Sequence, residues 1–230
     1  MTLRRRAVLA ATKVPYLFGL TKLGQVFGTD KVDAQHTHNG LPYTDVYATY
    51  LDRWRRRRFT LLELGVFRGD SLRMWDAYFP RATVVGLDLE PLAVERARGF
   101  EVTIGSQTDP EVLGGILERH PDVRVVVDDA SHITELTIAS FRYLFPRLAS
   151  GSLYIIEDLA PNSYEDWPGH DPERGANWPA IAANPAAQHF NRRADMDAFI
   201  ADLIRDCDFA EEKQVAFVHA WPSILVVGRA

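Results

Sequence analysis

A chain of 230 residues, 47% of them apolar, has enough hydrophobic material for one core of ordinary size, and one α/β domain with appendages accounts for its length. A net charge of -5 argues against a general affinity for nucleic acid, and the single Cys207 excludes an intramolecular disulfide and a multi-cysteine zinc site. No apolar run is long enough to span a bilayer, so the expected setting is the reducing cytoplasm, without nucleic-acid or membrane partners.

The basic start, Arg4-Arg5-Arg6, has a passing likeness to a twin-arginine signal, but Lys13 and Pro15 interrupt the apolar run behind it. Residues 3–20 read instead as an amphipathic helix that packs on the domain or on a second subunit, and a homo-oligomer is the expected assembly. A second helix is expected over 44–54. The run Arg55-Arg56-Arg57-Arg58 follows it, where cations offset the negative end of the helix dipole.

From Phe59 onward short β-branched runs alternate with helical stretches, the pattern of right-handed crossovers that build a parallel sheet covered on both faces. Strands are expected at 60–64, 83–89, 101–104, 123–128 and 152–157. The helices between them fall at 71–78, 92–98, 110–119 and 132–148, the last ended or bent by Pro146. After Asp158 the alternation stops. Residues 159–193 form a long polar stretch expected to act as a lid, with Trp167 and Trp178 as candidate walls for an apolar group. A helix over 195–207 and two strands, 214–219 and 223–227, complete the chain as an antiparallel pair closing the sheet. The organisation expected is a helical extension over 1–58 and one α/β domain over 59–230 that carries the 159–193 insertion.

In open parallel sheets ligands sit beyond the carboxyl ends of the strands, which here carry Glu63-Leu64-Gly65, Asp88, Ser106-Gln107, Asp128-Asp129 and Glu157-Asp158. Asp88 suits a carboxylate gripping ribose hydroxyls. A dinucleotide fingerprint needs Gly-x-Gly-x-x-Gly, whereas this loop reads Gly65-Val66-Phe67-Arg68-Gly69, with Phe67 in place of the second glycine. A ligand with an adenosine and an amino-acid tail but no pyrophosphate fits better, although the loop alone also reads as an ordinary βα turn.

Asp129, Glu157 and Asp158 would supply three hard oxygen donors from neighbouring strands, the donor type that Mg²⁺ selects, and left unneutralised they would repel one another. His132, three residues beyond Asp129, would face the same opening from the first turn of a helix and act as a general base toward a metal-bound hydroxyl. Each residue also has a plainer reading: Asp129 as a helix cap, Glu157-Asp158 as a loop start, His132 as a cap or surface residue.

Together these residues resemble the metal-dependent S-adenosylmethionine O-methyltransferases that methylate deoxysugars of macrolides, as in the mycinamicin and tylosin pathways. The likeness runs in order through Gly28-Thr29-Asp30-Lys31, Tyr43-Thr44 with Tyr47, Leu62-Glu63-Leu64-Gly65 and Ser71-Leu72-Arg73-Met74-Trp75. It continues through Gly86-Leu87-Asp88, Gly105-Ser106-Gln107-Thr108-Asp109, Asp128-Asp129-Ala130-Ser131-His132, Ser140-Phe141 and Tyr154-Ile155-Ile156-Glu157-Asp158-Leu159.

The resemblance implies a class I methyltransferase fold of Rossmann-like α/β type, with a seven-stranded, mostly parallel sheet and an antiparallel C-terminal strand pair. It implies that Asp129, Glu157 and Asp158 bind Mg²⁺ or another hard divalent cation, and that His132 accepts the proton beside the catalytic Asp129. S-adenosylmethionine would meet Asp88 at the ribose, Ser106 and Gln107 on the adenine side, and the Glu63-Leu64-Gly65 turn at the methionine end. Ser71, Tyr43 and the strand end at Asp128 complete that cofactor set. The implied acceptor is a hydroxyl of a small glycoside. Other readings are a catechol or phenol methyltransferase, a cephalosporin hydroxylase-like enzyme, a nicotinamide oxidoreductase, and a non-catalytic cofactor-binding protein that would not require His132.

Three departures stand out. Ala130 replaces the glycine of the usual Asp-Asp-Gly-Ser-His, a change expected to shift His132 only slightly, and Ala160-Pro161-Asn162 precede Ser163-Tyr164 where the family places the Ser-Tyr pair closer. The larger macrolide enzymes carry an extra N-terminal domain for which this chain is too short, so its quaternary contacts are expected to differ.

Overall fold

The computed structural model describes residues 16–33, 41–159 and 193–230. The expected lid, including Trp167 and Trp178, and the expected helix over residues 3–15 lie outside the described residues, the lid's two ends excepted. The expected helix does not run on to Leu20. Tyr16 has a φ of 67° and Gly19 is extended, so the chain leaves the right-handed region before helix α1 (Leu20–Phe27) begins.

A short 3-10 turn at Asp30–Val32 follows α1, and α2 (Tyr43–Leu51) runs into a second such turn at Asp52–Trp54. The arginines beyond it are not uniformly solvated. Arg55 donates to the Phe18 carbonyl at 2.8 Å and lies 4.3 Å over the Tyr78 ring, whereas Arg56, Arg57 and Arg58 are exposed.

The strands are β1 (Thr60–Leu64), β2 (Thr83–Asp88), β3 (Glu101–Ile104), β4 (Val123–Asp128), β5 (Leu153–Ile156), β6 (Val215–Trp221) and β7 (Ile224–Arg229). They form one sheet in the order β3-β2-β1-β4-β5-β7-β6. The first five are parallel, and β7 enters antiparallel between β5 and β6. Every residue of β1 and β5 is buried, as a strand covered on both faces requires.

The connecting helices are α3 (Asp70–Tyr78), α4 (Leu92–Arg96), α5 (Pro110–Arg119), α6 (Thr134–Leu144) and α7 (Arg193–Phe209). One apolar cluster packs α1, α2 and α3 on a face of the sheet through Leu23, Tyr47, Trp75, Val125 and Ile155. A second packs α5, α6 and α7 on the other through Leu113, Phe141, Phe199, Val126 and Tyr154. Where the expected helix reaches Pro146, α6 tightens into a 3-10 turn at Phe145–Arg147. No helix among the described residues is long and apolar enough to cross a membrane.

Register decides what happens at the carboxyl edge. Leu64 lies opposite Leu87 on one side and Asp128 on the other, and Asp128 lies opposite Ile156. The backbone ladder continues one residue further, with the Asp129 N–H donating to the Leu64 carbonyl and the Glu157 N–H to the Asp128 carbonyl, both at 2.9 Å. The loops after β1, β4 and β5 therefore leave the sheet side by side.

Candidate metal and cofactor site

Asp129, His132 and Asp158 each present one ligand atom at this edge, and the three atoms lie within 4.8 Å of one another. His132 Nε2 is 3.9 Å from Asp129 Oδ1 and 3.6 Å from Asp158 Oδ2. The histidine reaches this point differently from the sequence expectation, because it precedes α6 and does not occupy its first turn. Its φ of 55° is left-handed, and the Ser131 hydroxyl accepts the Ile133 N–H at 3.2 Å, which delays the helix to Thr134. Ala130 needs no positive φ, so the alanine that replaces the family glycine costs no strain there; the left-handed residue is His132 itself.

Asp158 is also left-handed, at φ 51°, and the Tyr43 hydroxyl donates to its Oδ1 at 2.6 Å. Tyr43, expected at the methionine end of a cofactor, thus anchors a candidate metal ligand. Glu157 is turned elsewhere. Its Oε1 accepts the Tyr47 hydroxyl and the Lys31 ammonium, the latter at 2.8 Å.

Lys31 and Tyr47 had no role assigned from the sequence, and both are buried. The Lys31 ammonium contacts Asp129 Oδ2, lies 3.3 Å from Glu63 Oε1, and so gathers three acids from β1, β4 and β5. A signal for it existed: four carboxylates at neighbouring strand ends carry twice the charge that one divalent cation can cancel. Burial alone would lower the lysine's proton affinity, but Asp129, Glu157 and Glu63 outweigh it and hold the ammonium well above its ordinary value. The acids are pushed the other way. Burial raises Glu63 to about 7 against the pull of Lys31, and burial also raises Asp129 and Glu157. Three acids share one lysine, an imbalance that protons or a further cation can relieve.

The hard carboxylate oxygens of Asp129 and Asp158, with an imidazole beside them, fit a cation such as Mg²⁺.

The other predicted residues stand at or just behind the same carboxyl edge of the sheet. Both Asp88 oxygens accept backbone N–H groups: Oδ2 those of Val66 and Phe67, Oδ1 that of Glu90, each at 2.8 Å. This carboxylate knits the β1 loop into shape, and a carboxylate has lone pairs left for a ribose hydroxyl. Ser71 donates to Glu63 Oε2 at 2.8 Å, and Glu63 is wholly buried, so this pair faces Lys31. Gln107 donates to Ser140 at 3.0 Å and to Asp128 at 3.3 Å, and accepts the Ser131 N–H at 3.2 Å. Asp128 is a buried hub that also accepts the Tyr154 hydroxyl at 2.8 Å. Ser106 pairs with Thr108 at 3.0 Å at the end of β3.

Gly65 was expected to admit a cofactor; the neighbour that requires it is protein. A Cβ at this residue, whose φ is +87°, would stand 2.0 Å from the Asp129 carbonyl oxygen. The β1 and β4 loops pack that closely only because no side chain intervenes.

No protein-family model matches the chain. It is 35% identical over 168 residues to the 8-demethyl-8-alpha-L-rhamnosyl tetracenomycin-C 2'-O-methyltransferase of Streptomyces olivaceus, a match covering 70% of this chain and 42% of that protein. It is 35% identical over 134 residues to the mycinamicin VI 2''-O-methyltransferase of Micromonospora griseorubida, covering 55% of this chain and 33% of the relative. The chain thus aligns with less than half the length of these curated relatives. The solved structure of the MycE methyltransferase from the mycinamycin pathway, in complex with Mg, SAH and mycinamycin VI, superposes with a TM-score of 0.70 at 26% identity, covering 94% of this chain and 55% of that one. The resemblance read from the residues to macrolide sugar O-methyltransferases is borne out, and the fold is that of the class I methyltransferases.

Proposed function

We propose that this chain, a sequence relative of natural-product sugar O-methyltransferases, transfers a methyl group from S-adenosylmethionine to a sugar hydroxyl of a small glycosylated compound with the help of a divalent cation. The observation that carries this reading is the convergence of Asp129, His132 and Asp158 at the carboxyl edge of β4 and β5, beside the crevice where class I methyltransferases bind their cofactor.

Asp129 and Asp158 would hold the cation, with Glu157 and Lys31 behind Asp129. A bound divalent cation supplies Lewis acidity, which lowers the pKa of a coordinated hydroxyl, and S-adenosylmethionine supplies an electrophilic methyl. His132 Nε2, facing both aspartates, takes the hydroxyl proton as general base. Tyr43 keeps Asp158 aimed at the site, and Gly65 lets the β1 loop close on Asp129. Asp88, Ser106 and Gln107 lie at consecutive strand ends suited to the adenosine, and the surrounding residues contribute by holding the two reactants in line.

The test is incubation of the full chain with methyl-labelled S-adenosylmethionine and a panel of deoxysugar glycosides, with Mg²⁺ and with chelator. Label is expected in a glycoside only when metal is present. Transfer to a catechol and to no sugar would replace the acceptor class, and metal-independent transfer would remove the cation from the reading.

A further inference from the structure

The carboxylates of the candidate site already have a cation of their own. Lys31 is 3% exposed, and its ammonium lies 2.8 Å from Glu157 Oε1 and 3.3 Å from Glu63 Oε1, in contact with Asp129 Oδ2. Asp129 is therefore shared: Oδ2 faces the lysine, and Oδ1 faces His132 and the candidate metal position. Glu157 is the more committed of the two, because Lys31 and Tyr47 both donate to the same oxygen.

The lysine is delivered by a built support. Thr29 is extended and its hydroxyl accepts the Lys31 N–H, which starts the 3-10 turn at Asp30–Val32. The turn sits tightly on α1, where a Cβ on Gly24 would stand 2.3 Å from Val32 Cγ1. Two segments distant in sequence thus form one electrostatic unit, a lysine from the turn ahead of the sheet and acids from three of its strands.

We propose that Lys31 is a positioning residue that holds Asp129 and Glu157 in place before metal arrives and competes with the divalent cation for them. This rests on the metal reading above. Two cations drawing on the same partly buried carboxylate repel each other, and in a partly desolvated cluster that repulsion is larger than in water. Lys31 therefore keeps the site ordered without metal at the cost of weaker metal binding, and it does so through Asp129, whose second oxygen faces the candidate metal position. An ordinary structural ion pair would behave differently, stabilising the metal-free and metal-bound forms alike.

The experiment is a Mn²⁺ titration of the full chain at pH 8, following the electron paramagnetic resonance signal of the free aqua ion, on the wild type and on Lys31→Met, Lys31→Arg and Asp158→Asn. Lys31→Met is expected to bind Mn²⁺ at least tenfold more tightly, to melt lower without metal, and to recover more than the wild type when Mn²⁺ is added. Lys31→Arg, which keeps the charge, stays near the wild-type affinity. If Lys31→Met does not fold without metal, Lys31→Gln, which keeps an N–H donor for Glu157, gives the same comparison. Unchanged or weaker Mn²⁺ binding in the uncharged variants, with Asp158→Asn still impairing it, overturns the competition and leaves the metal reading standing. Binding that Asp158→Asn does not weaken removes the metal site and this proposal together.

Discussion

The Tyr43 hydroxyl donates to Asp158 Oδ1 at 2.6 Å, tying the start of α2 to the residue that follows β5 by two positions. Asp158 sits in left-handed backbone, which a non-glycine residue keeps only when its surroundings hold it. A hydrogen bond to a carboxylate contributes roughly 1.5–3 kcal/mol. Tyr43→Phe is therefore expected to weaken Mn²⁺ binding by about tenfold while leaving the fold intact by circular dichroism. Unchanged affinity would show that Asp158 is aimed without Tyr43.

His132→Ala should lower kcat by about 10² to 10⁴, the range of a general base, while S-adenosylhomocysteine binding measured by calorimetry stays within a few-fold of the wild type. A variant that turns over at near-normal rate would end the base assignment.

Gly65→Ala forces a side chain into left-handed backbone, which costs about 1–2 kcal/mol, and drives its Cβ into the Asp129 carbonyl. The melting temperature should fall by several degrees, since each kcal/mol moves a domain of this size by about 2–4 °C. Mn²⁺ affinity should fall with it, because the displaced backbone carries Asp129. Thermal melts with and without Mn²⁺ check both.

Burial pushes Asp128 up to about 6 from 3.8, against the hydrogen bonds of Tyr154 and Ser140. The folded form thus binds its proton more tightly than the unfolded chain does. This group's contribution to stability is complete below pH 3.8 and is lost as pH rises through about 6. A difference of two units corresponds to on the order of 3 kcal/mol. Urea unfolding of the wild type and Asp128→Asn should show the wild type gaining on the variant as pH drops from 7 to 4. A pH-independent difference would mean that Asp128 stays ionised in the fold.

S-adenosylhomocysteine with Mg²⁺ should raise the melting temperature, by about 2.7 kcal/mol of stabilisation at a hundredfold excess over Kd, whereas NAD should not. A comparable shift with NAD would favour the nicotinamide reading that Phe67 opposes.

The alternation of apolar strands with helices from Phe59 is a local, periodic signal that located the five parallel strands within a residue, and the two apolar runs near the C-terminus located the antiparallel pair within two. The strand ends carrying Asp88, Asp128-Asp129 and Glu157-Asp158 were legible for the same reason, because a parallel sheet sends its carboxyl ends to one edge. The left-handed turns at His132 and Asp158 were not. No glycine marks either, and a side chain is held there by packing and hydrogen bonds from elsewhere in the chain.

What the sequence by itself determined is the order of elements, the edge at which the acids collect and the need for positive charge among them. Only the tertiary structure decided which group supplies that charge to which acid. Lys31 lies 98 residues from Asp129, and its contacts with Asp129, Glu63 and Glu157 follow from α1 and its turn packing on one face of the sheet. Charge balance is a property of a volume, and periodicity along a chain does not say which distant side chains will share it.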